Sequence, residues 1–214
     1  CSYLSPGGRD GGRVASILIF ADLHLGRPGA PGIEWALDVL ETTDADACIC
    51  LGDIIDRTAD TDTYVPQAQQ VMARAGELFD DAHFISGNHD VHHKLSFPSF
   101  VTVHSTDVHA FHCAGATVVT AAVAADPDPR KLTFPARQGD GPHLGLLHSS
   151  ATGAFSKGVC LPTTPNQLQA CDFDAWILGH VHTPQVIQDE PFIGWVGMGE
   201  AVLYDVPTAT LTRL

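Results

Sequence analysis

The sequence predicts an α/β (α+β) fold in which two mixed β-sheets pack together with helices outside. Two observations carry that prediction. Between residues 14 and 90, a short apolar run three times ends in a loop of polar donors, and amphipathic stretches bring the chain back. This is the logic of parallel strands joined by helices. The second half alternates short apolar runs with turns and holds one clear helical pattern, so it supplies mainly strands.

Residues 14–21, Val-Ala-Ser-Ile-Leu-Ile-Phe-Ala, read as a strand buried on both faces, and the run stops at Asp22. Ile33, Ala36, Leu37 and Leu40 recur at helical spacing. A second strand is predicted over 47–51, ending at Gly52-Asp53. Pro66 suits a helix start, and Ala68, Val71, Met72, Ala75, Leu78 and Phe79 continue a helical stripe toward a third strand over 83–86. Gly87-Asn88-His89-Asp90 follows. Later strands are expected over 100–104, 108–112, 116–125, 143–148, 175–178, 185–187, 192–196, 201–206 and 209–214, with a helix over 166–171. Pro127, Pro129, Pro135 and Pro142 mark a loop rather than a linker, and no internal repeat is visible. The expected organisation is a single domain over 14–214 behind a flexible Gly-rich leader, 1–13.

With 44% hydrophobic and 17% charged residues, the chain has an ordinary globular composition. No apolar run reaches the ~18–20 residues of a membrane span. Six cysteines follow no disulfide-framework spacing, so a reducing cytoplasm is expected. The alternative for Cys1 is a lipid anchor on a flexible tether. Twenty-five acidic against 11 basic residues give a net charge of −14, which repels polyanions and disfavours a nucleic-acid partner.

Oxygen and nitrogen donors stand at the ends of five apolar runs: Asp22-Leu23-His24, Gly52-Asp53-Ile54-Ile55-Asp56, Gly87-Asn88-His89-Asp90, Leu147-His148 and Gly179-His180-Val181-His182. Alone, each of the first three has a bland reading as a turn, and Asp22-x-His24 is then more often a turn aspartate with an incidental histidine. Paired His180 and His182 are the strongest single signal. In Asp22-x-His24 both side chains are expected on one side of an extended segment. The mixture of Asp, His and Asn suits borderline and hard divalent ions, and no CxxC pair suggests a structural zinc cage.

Together the ordered patterns DxH, GDxxD, GNHD, His and GHxH, from Asp22 to His182, resemble the calcineurin-like metallophosphoesterase family. The resemblance implies a dinuclear-metal-dependent phosphoesterase, with phosphodiesters the favoured substrates, that hydrolyses P–O bonds with metal-activated hydroxide. It implies that Asp22, His24 and His182 hold one ion and Asn88, His148 and His180 another, with Asp53 bridging. Manganese is the first choice, and iron, zinc or cobalt also suit the donors. His89 resembles the family's proton donor, with Asp90 to orient it, and Asp56 a carboxylate positioning a ligand histidine. Arg57 is a candidate phosphate contact, and His92 and His93 candidates for lining the pocket. A small phosphodiester or nucleotide is the expected substrate.

Within the family, Asp22-Leu-His-Leu-Gly26 and the run from Asp174 to His180 are similar to SbcD-type DNA repair exonucleases. Gly197-Met198-Gly199-Glu200 departs from the Pro-Gly-Ser segment common there. That alternative needs a partner or cap to supply DNA binding. An alternative of another class is a non-catalytic metal- or partner-binding subunit. His83, His104, His109, His112 and His143 read as surface or core residues, Cys48 and Cys50 as buried packing, and Trp35, Trp176 and Trp195 as core.

Overall fold

The computed structural model describes residues 15–156 and 158–214, so the leader and Cys1 lie outside the described residues. The first half builds β1 (Ser16–Phe20), α1 (Gly32–Thr42), β2 (Ala47–Cys50), α2 (Thr61–Leu78), β3 (Asp81–Phe84) and β4 (Val101–Val103). The second half adds β5 (His109–Cys113), β6 (Ala116–Ala121), β7 (His143–His148), α3 (Pro165–Gln169) and β8 (Ala175–Gly179). The chain continues through β9 (Gln185–Gln188), β10 (Phe192–Trp195), β11 (Ala201–Asp205) and β12 (Thr210–Arg213). Among the described residues, one six-stranded sheet runs β12-β11-β1-β2-β3-β4 and the other β5-β6-β7-β8-β10-β9. Both are mixed: β1, β2, β3 and β4 are parallel while β11 is antiparallel to β1, and β6, β7 and β8 are parallel while β5 is antiparallel to β6.

The uninterrupted apolar runs follow from burial on both faces. Ile17, Ile19, Ile49 and Leu51 face Val118, Leu144, Leu146 and Ile177 between the sheets. Their alternates Leu18, Phe20, Cys48 and Cys50 face Ala36 and Leu40 of α1 and Ala68, Val71, Met72 and Ala75 of α2. On the far side of the second sheet, Leu147, Trp176, Leu178 and Trp195 pack against Leu161, Leu168 and Phe173. Trp176 and Trp195 are fully buried, and their indole N–H groups donate to the Leu168 and Ser149 carbonyls at 3.0 and 2.8 Å. The five described cysteines are free and buried. No helix among the described residues is long and apolar enough to cross a membrane.

Two boundaries that differ from the sequence reading have a side-chain cause. Helix α2 starts at Thr61 because Asp60 caps it, accepting from the Thr63 N–H at 3.0 Å, which leaves Pro66 inside the helix. Both Pro66 and Asp62, the residue four before it, are exposed, so water can serve the carbonyl that loses its partner. The strand expected over 116–125 stops at Ala121, since Ala122 and Val123 donate to Ser105 and Ser86 carbonyls and Ala124 to the Asp128 carboxylate.

Gly145 on β7 lies against the buried Trp176 ring, which a Cβ there would overlap. Gly145→Ala is expected to lower unfolding free energy by about 1–3 kcal/mol. Urea denaturation checks this, and an unchanged midpoint would mean the indole can yield.

Candidate metal and active site

Parallel strands from both sheets end at one cleft, as expected where open α/β sheets gather ligands beyond the strands' carboxyl ends. β1 delivers Asp22 and His24, β2 Asp53, β3 Asn88 and His89, β7 His148, and β8 His180 and His182. Packing explains the motif glycines. A Cβ on Gly52 would stand 2.7 Å from His148 Nδ1, one on Gly87 2.8 Å from His148 Cε1, and one on Gly179 2.8 Å from His148 Nδ1. Three strand ends thus close on one imidazole only because their glycines have no side chain.

Asp22, His24, Asp53 and His180 have φ of 56°, 45°, 53° and 93°. Such left-handed backbone is uncommon outside glycine and gathers at functional sites. It corrects the extended-segment reading of Asp22-x-His24: a tight turn, not strand alternation, brings the pair together. Hydrogen bonds from the Asp22 and His24 N–H groups to the Gly52 and Asp53 carbonyls, both 2.9 Å, hold that turn.

The donors converge in two overlapping groups. Asp22, His24 and His182 offer atoms within 4.8 Å of one another, as do Asp22, Asp53 and His148. His24 Nε2 faces His182 Nε2 at 2.9 Å and stands 3.6 Å from Asp53 Oδ2. His148 donates through Nδ1 to the Leu51 carbonyl at 2.9 Å and turns Nε2 to Asp53 Oδ2 at 3.3 Å. His180 Nδ1 lies 2.8 Å from Asn88 Oδ1. Asp53 therefore sits between the groups, its other oxygen accepting from the His89 N–H at 2.7 Å.

Electrostatics suit a divalent cation. Burial lowers His24 to about 3 and His180 to about 4, keeping both rings neutral with lone pairs available. Burial raises Asp22 to about 7. It works against the charge on Asp53 too, but His148, His24 and His89 outweigh it and hold this carboxyl well below its usual range. Buried His148 is nevertheless raised to about 10, chiefly by Asp53. His148 Nε2, which faces Asp53, is buried with no hydrogen-bond partner. A nitrogen so placed beside clustered carboxylates is what a bound cation would complete.

One expected role changes. The Asp90 carboxylate does not orient His89; it accepts from the backbone N–H groups of Asp53 at 2.7 Å, Gly87 at 2.8 Å and Ile55 at 3.3 Å, tying the second and third donor loops together. Asp56 stands beside both rings, its Oδ2 3.3 Å from His89 Nδ1 and 3.6 Å from His24 Nδ1, and the Arg57 backbone N–H donates to His89 Nδ1 at 3.1 Å. Asp90→Ala is expected to cost at least about 2 kcal/mol, because three buried donors lose their acceptor. Chemical denaturation checks this, and full stability with lost turnover would restore a direct catalytic role.

His92 and His93 do not line the cleft, because the helical turn Asp90–His92 carries them to its rim. His92 Nε2 is 3.1 Å from Asp126 Oδ2, and His93 Nε2 2.9 Å from the Asp56 carbonyl. Arg57 does line the cleft: its guanidinium pairs with Asp126 at 2.6 Å and contacts His89 Nε2 at 2.8 Å.

The cleft has a volume of about 730 Å³. Its walls include Arg27, Asp126, Phe155 and Ser156, which the sequence reading missed. Asp126 also accepts from Asn88 Nδ2 at 3.2 Å, and Ser156 Oγ lies 2.7 Å from His180 Nε2. A signal for Asp126 existed, since it follows an apolar run as Asp22 and Asp53 do. None marked Ser156, whose role depends on a long loop folding back.

The sequence pattern of the calcineurin-like phosphoesterase family matches residues 15–184. No curated protein sequence matches the chain. Among solved structures, a dimetal phosphatase from Danio rerio is similar with a TM-score of 0.60 at 11% identity, covering 94% of this chain and 98% of that one. The protein TT1561 of Thermus thermophilus has a TM-score of 0.57 at 12% identity, with 94% and 99% covered. Phosphopantetheinyl hydrolase from Mycobacterium tuberculosis has 0.55 at 12%, with 95% and 97% covered. At such identities the structural likeness speaks for the fold. A family pattern spanning most of the chain, and ending just beyond the His180-Val181-His182 loop, shows that this chain belongs to the calcineurin-like phosphoesterase family.

Proposed function

We propose that this chain is a dinuclear-metal-dependent phosphoesterase acting on small phosphodiesters or nucleotides. The observation that carries the reading is Asp53, whose carboxylate lies 3.6 Å from His24 on one side and 3.3 Å from His148 on the other. Asp22, His24 and His182 would hold one ion, Asn88, His148 and His180 another, and Asp53 both. Bound there, such ions polarise phosphoryl oxygens and make water acidic enough to supply hydroxide near neutrality. Manganese is the proposed metal, with iron, zinc or cobalt compatible with the same donors.

The protein's own residues supply the rest. Arg57 and Arg27 line the cleft and offer guanidinium groups to phosphate oxygens. We assign His89, which lies beside Asp56 and Arg57 at the cleft, the role of giving a proton to the leaving oxygen. Asp126 holds Arg57 and Asn88 at the cleft wall. A complete donor set favours catalysis over a non-catalytic subunit, and the net charge of −14 favours a small substrate over DNA.

A manganese-reconstituted panel of phosphodiesters, phosphomonoesters, nucleotides, and single- and double-stranded DNA tests the reading. Metal-dependent cleavage of small diesters is expected, with weak and strongly salt-sensitive action on DNA. Processive duplex degradation at physiological salt by this chain alone would move the assignment to an SbcD-like exonuclease. Inactivity on every ester with metals bound would favour the non-catalytic subunit.

A further inference from the structure

Where β3 and β4 of one sheet face β5 of the other, a run of histidines connects the sheets. His109 Nδ1 lies 2.8 Å from the Asp107 carbonyl oxygen, which can only accept, so that nitrogen carries the proton. In a neutral ring, His109 Nε2 is then the acceptor for His104 Nδ1–H at 2.9 Å. His104 Nε2 accepts in turn from His83 Nδ1–H at 3.1 Å. With these rings neutral, as burial favours for His83 and His104, one carbonyl sets three tautomers and leaves His83 Nε2 as a bare lone pair.

That nitrogen is buried without a hydrogen-bond partner, in a residue only 6% exposed. Packing alone gives no reason to build a relay that ends on an unsatisfied acceptor. His83 also belongs to a cluster of metal donors: His83, Cys113 and Asp81 offer ligand atoms within 4.8 Å of one another. Asp81 and His83 project from the same face of β3 two residues apart, and Cys113 closes β5 in the facing sheet.

We propose that Asp81, His83 and Cys113 form a mononuclear divalent-cation site of the zinc class, separate from the cleft, that clips the two sheets together. Thiolate, imidazole and carboxylate are all donors that zinc accepts at about 2.0–2.3 Å, and three protein donors leave a tetrahedral position for water. On binding, the Cys113 S–H proton passes to solvent while sulfur, His83 Nε2 and an Asp81 oxygen each donate a lone pair. No atom changes oxidation state. The hydrogen bond from His83 Nδ1 to His104 is the outer contact that orients a ligand histidine. Exposed Asp81 can swing inward to close the site.

Cobalt(II) titration of the full chain tests this, read by the thiolate-to-cobalt charge-transfer band. A Cys160→Ser background removes the thiol near the cleft, which lies within 4.8 Å of His148 and His180 donors. The expected result is a band that saturates with one ion in that background and vanishes when Cys113→Ser is added. In the same Cys160→Ser background, Asp81→Ala is expected to weaken the cobalt binding that the band reports at least about tenfold, with circular dichroism unchanged. Should Cys113→Ser fail to fold, the exposed Asp81→Ala decides. Absence of the band in the Cys160→Ser protein, its survival in the double variant, or unaltered affinity in Asp81→Ala would each overturn the proposal. None of these outcomes depends on the cleft holding metal.

Discussion

Asp53→Asn is expected to lose both cleft ions and to lower kcat at least about 10³-fold, because one carboxylate serves both donor groups. Asparagine keeps the volume and can still accept the His89 N–H, which Asp53 Oδ1 does at 2.7 Å. The change therefore removes charge while leaving the loop its main backbone bond. It also removes the anion that raises His148, leaving that buried imidazole with no charged partner at its Nε2. Elemental analysis alongside turnover separates the possible outcomes. Two ions retained at wild-type occupancy would take Asp53 out of the bridge, whatever happened to the rate.

His89→Gln should separate binding from proton transfer. Turnover on esters with poor leaving groups is expected to fall about 10²–10⁴-fold, while an activated nitrophenyl ester suffers much less because its leaving oxygen hardly needs a proton. The ring is buried and lowered in pKa by that burial and by Arg57, with Asp53 and Asp56 opposing. Its basicity thus depends on the Asp56 carboxylate near Nδ1, the Arg57 N–H that donates to Nδ1 and the Arg57 guanidinium at Nε2. Metal content is the necessary control, since His89 offers a donor within 4.8 Å of those of His24 and Asp53. Equal losses on both substrates with metals intact would remove the proton-donor role, and lost metal would make His89 a ligand.

Much of this arrangement was legible before folding. Strand ends rich in donors are recognisable because an apolar run must stop where the chain leaves the core, and Asp22, Asp53, Asn88, His148 and His180 stand at such stops. Boundaries were less legible where a side chain competes for the backbone. Asp60 moved the start of α2 upstream of Pro66, and Asp128 drew Ala124 out of the strand. Neither effect has a periodicity to detect.

Residue partners were the least legible part. Adjacency in sequence paired Asp90 with His89, yet the chain turns so that Asp90 faces backbone N–H groups and Asp56, more than thirty positions away, meets the imidazole. Asp126 and Ser156 entered the cleft through loops whose paths no local pattern records. The histidines of β3 and β5 read singly as surface or core residues, and only the facing of two sheets gave His83 and Cys113 a common neighbourhood.

The sequence by itself determined the layers, the strand ends and the kinds of donor at them, because burial on both faces, helical spacing and ligand chemistry are written in local residue order. Tertiary structure alone decided which atoms meet. Left-handed turns at Asp22, His24, Asp53 and His180, and glycines closing around His148, set directions that differ by a rotation of the backbone rather than by a change of residue. A contact needs that direction as well as proximity, and direction is the property that linear order leaves free.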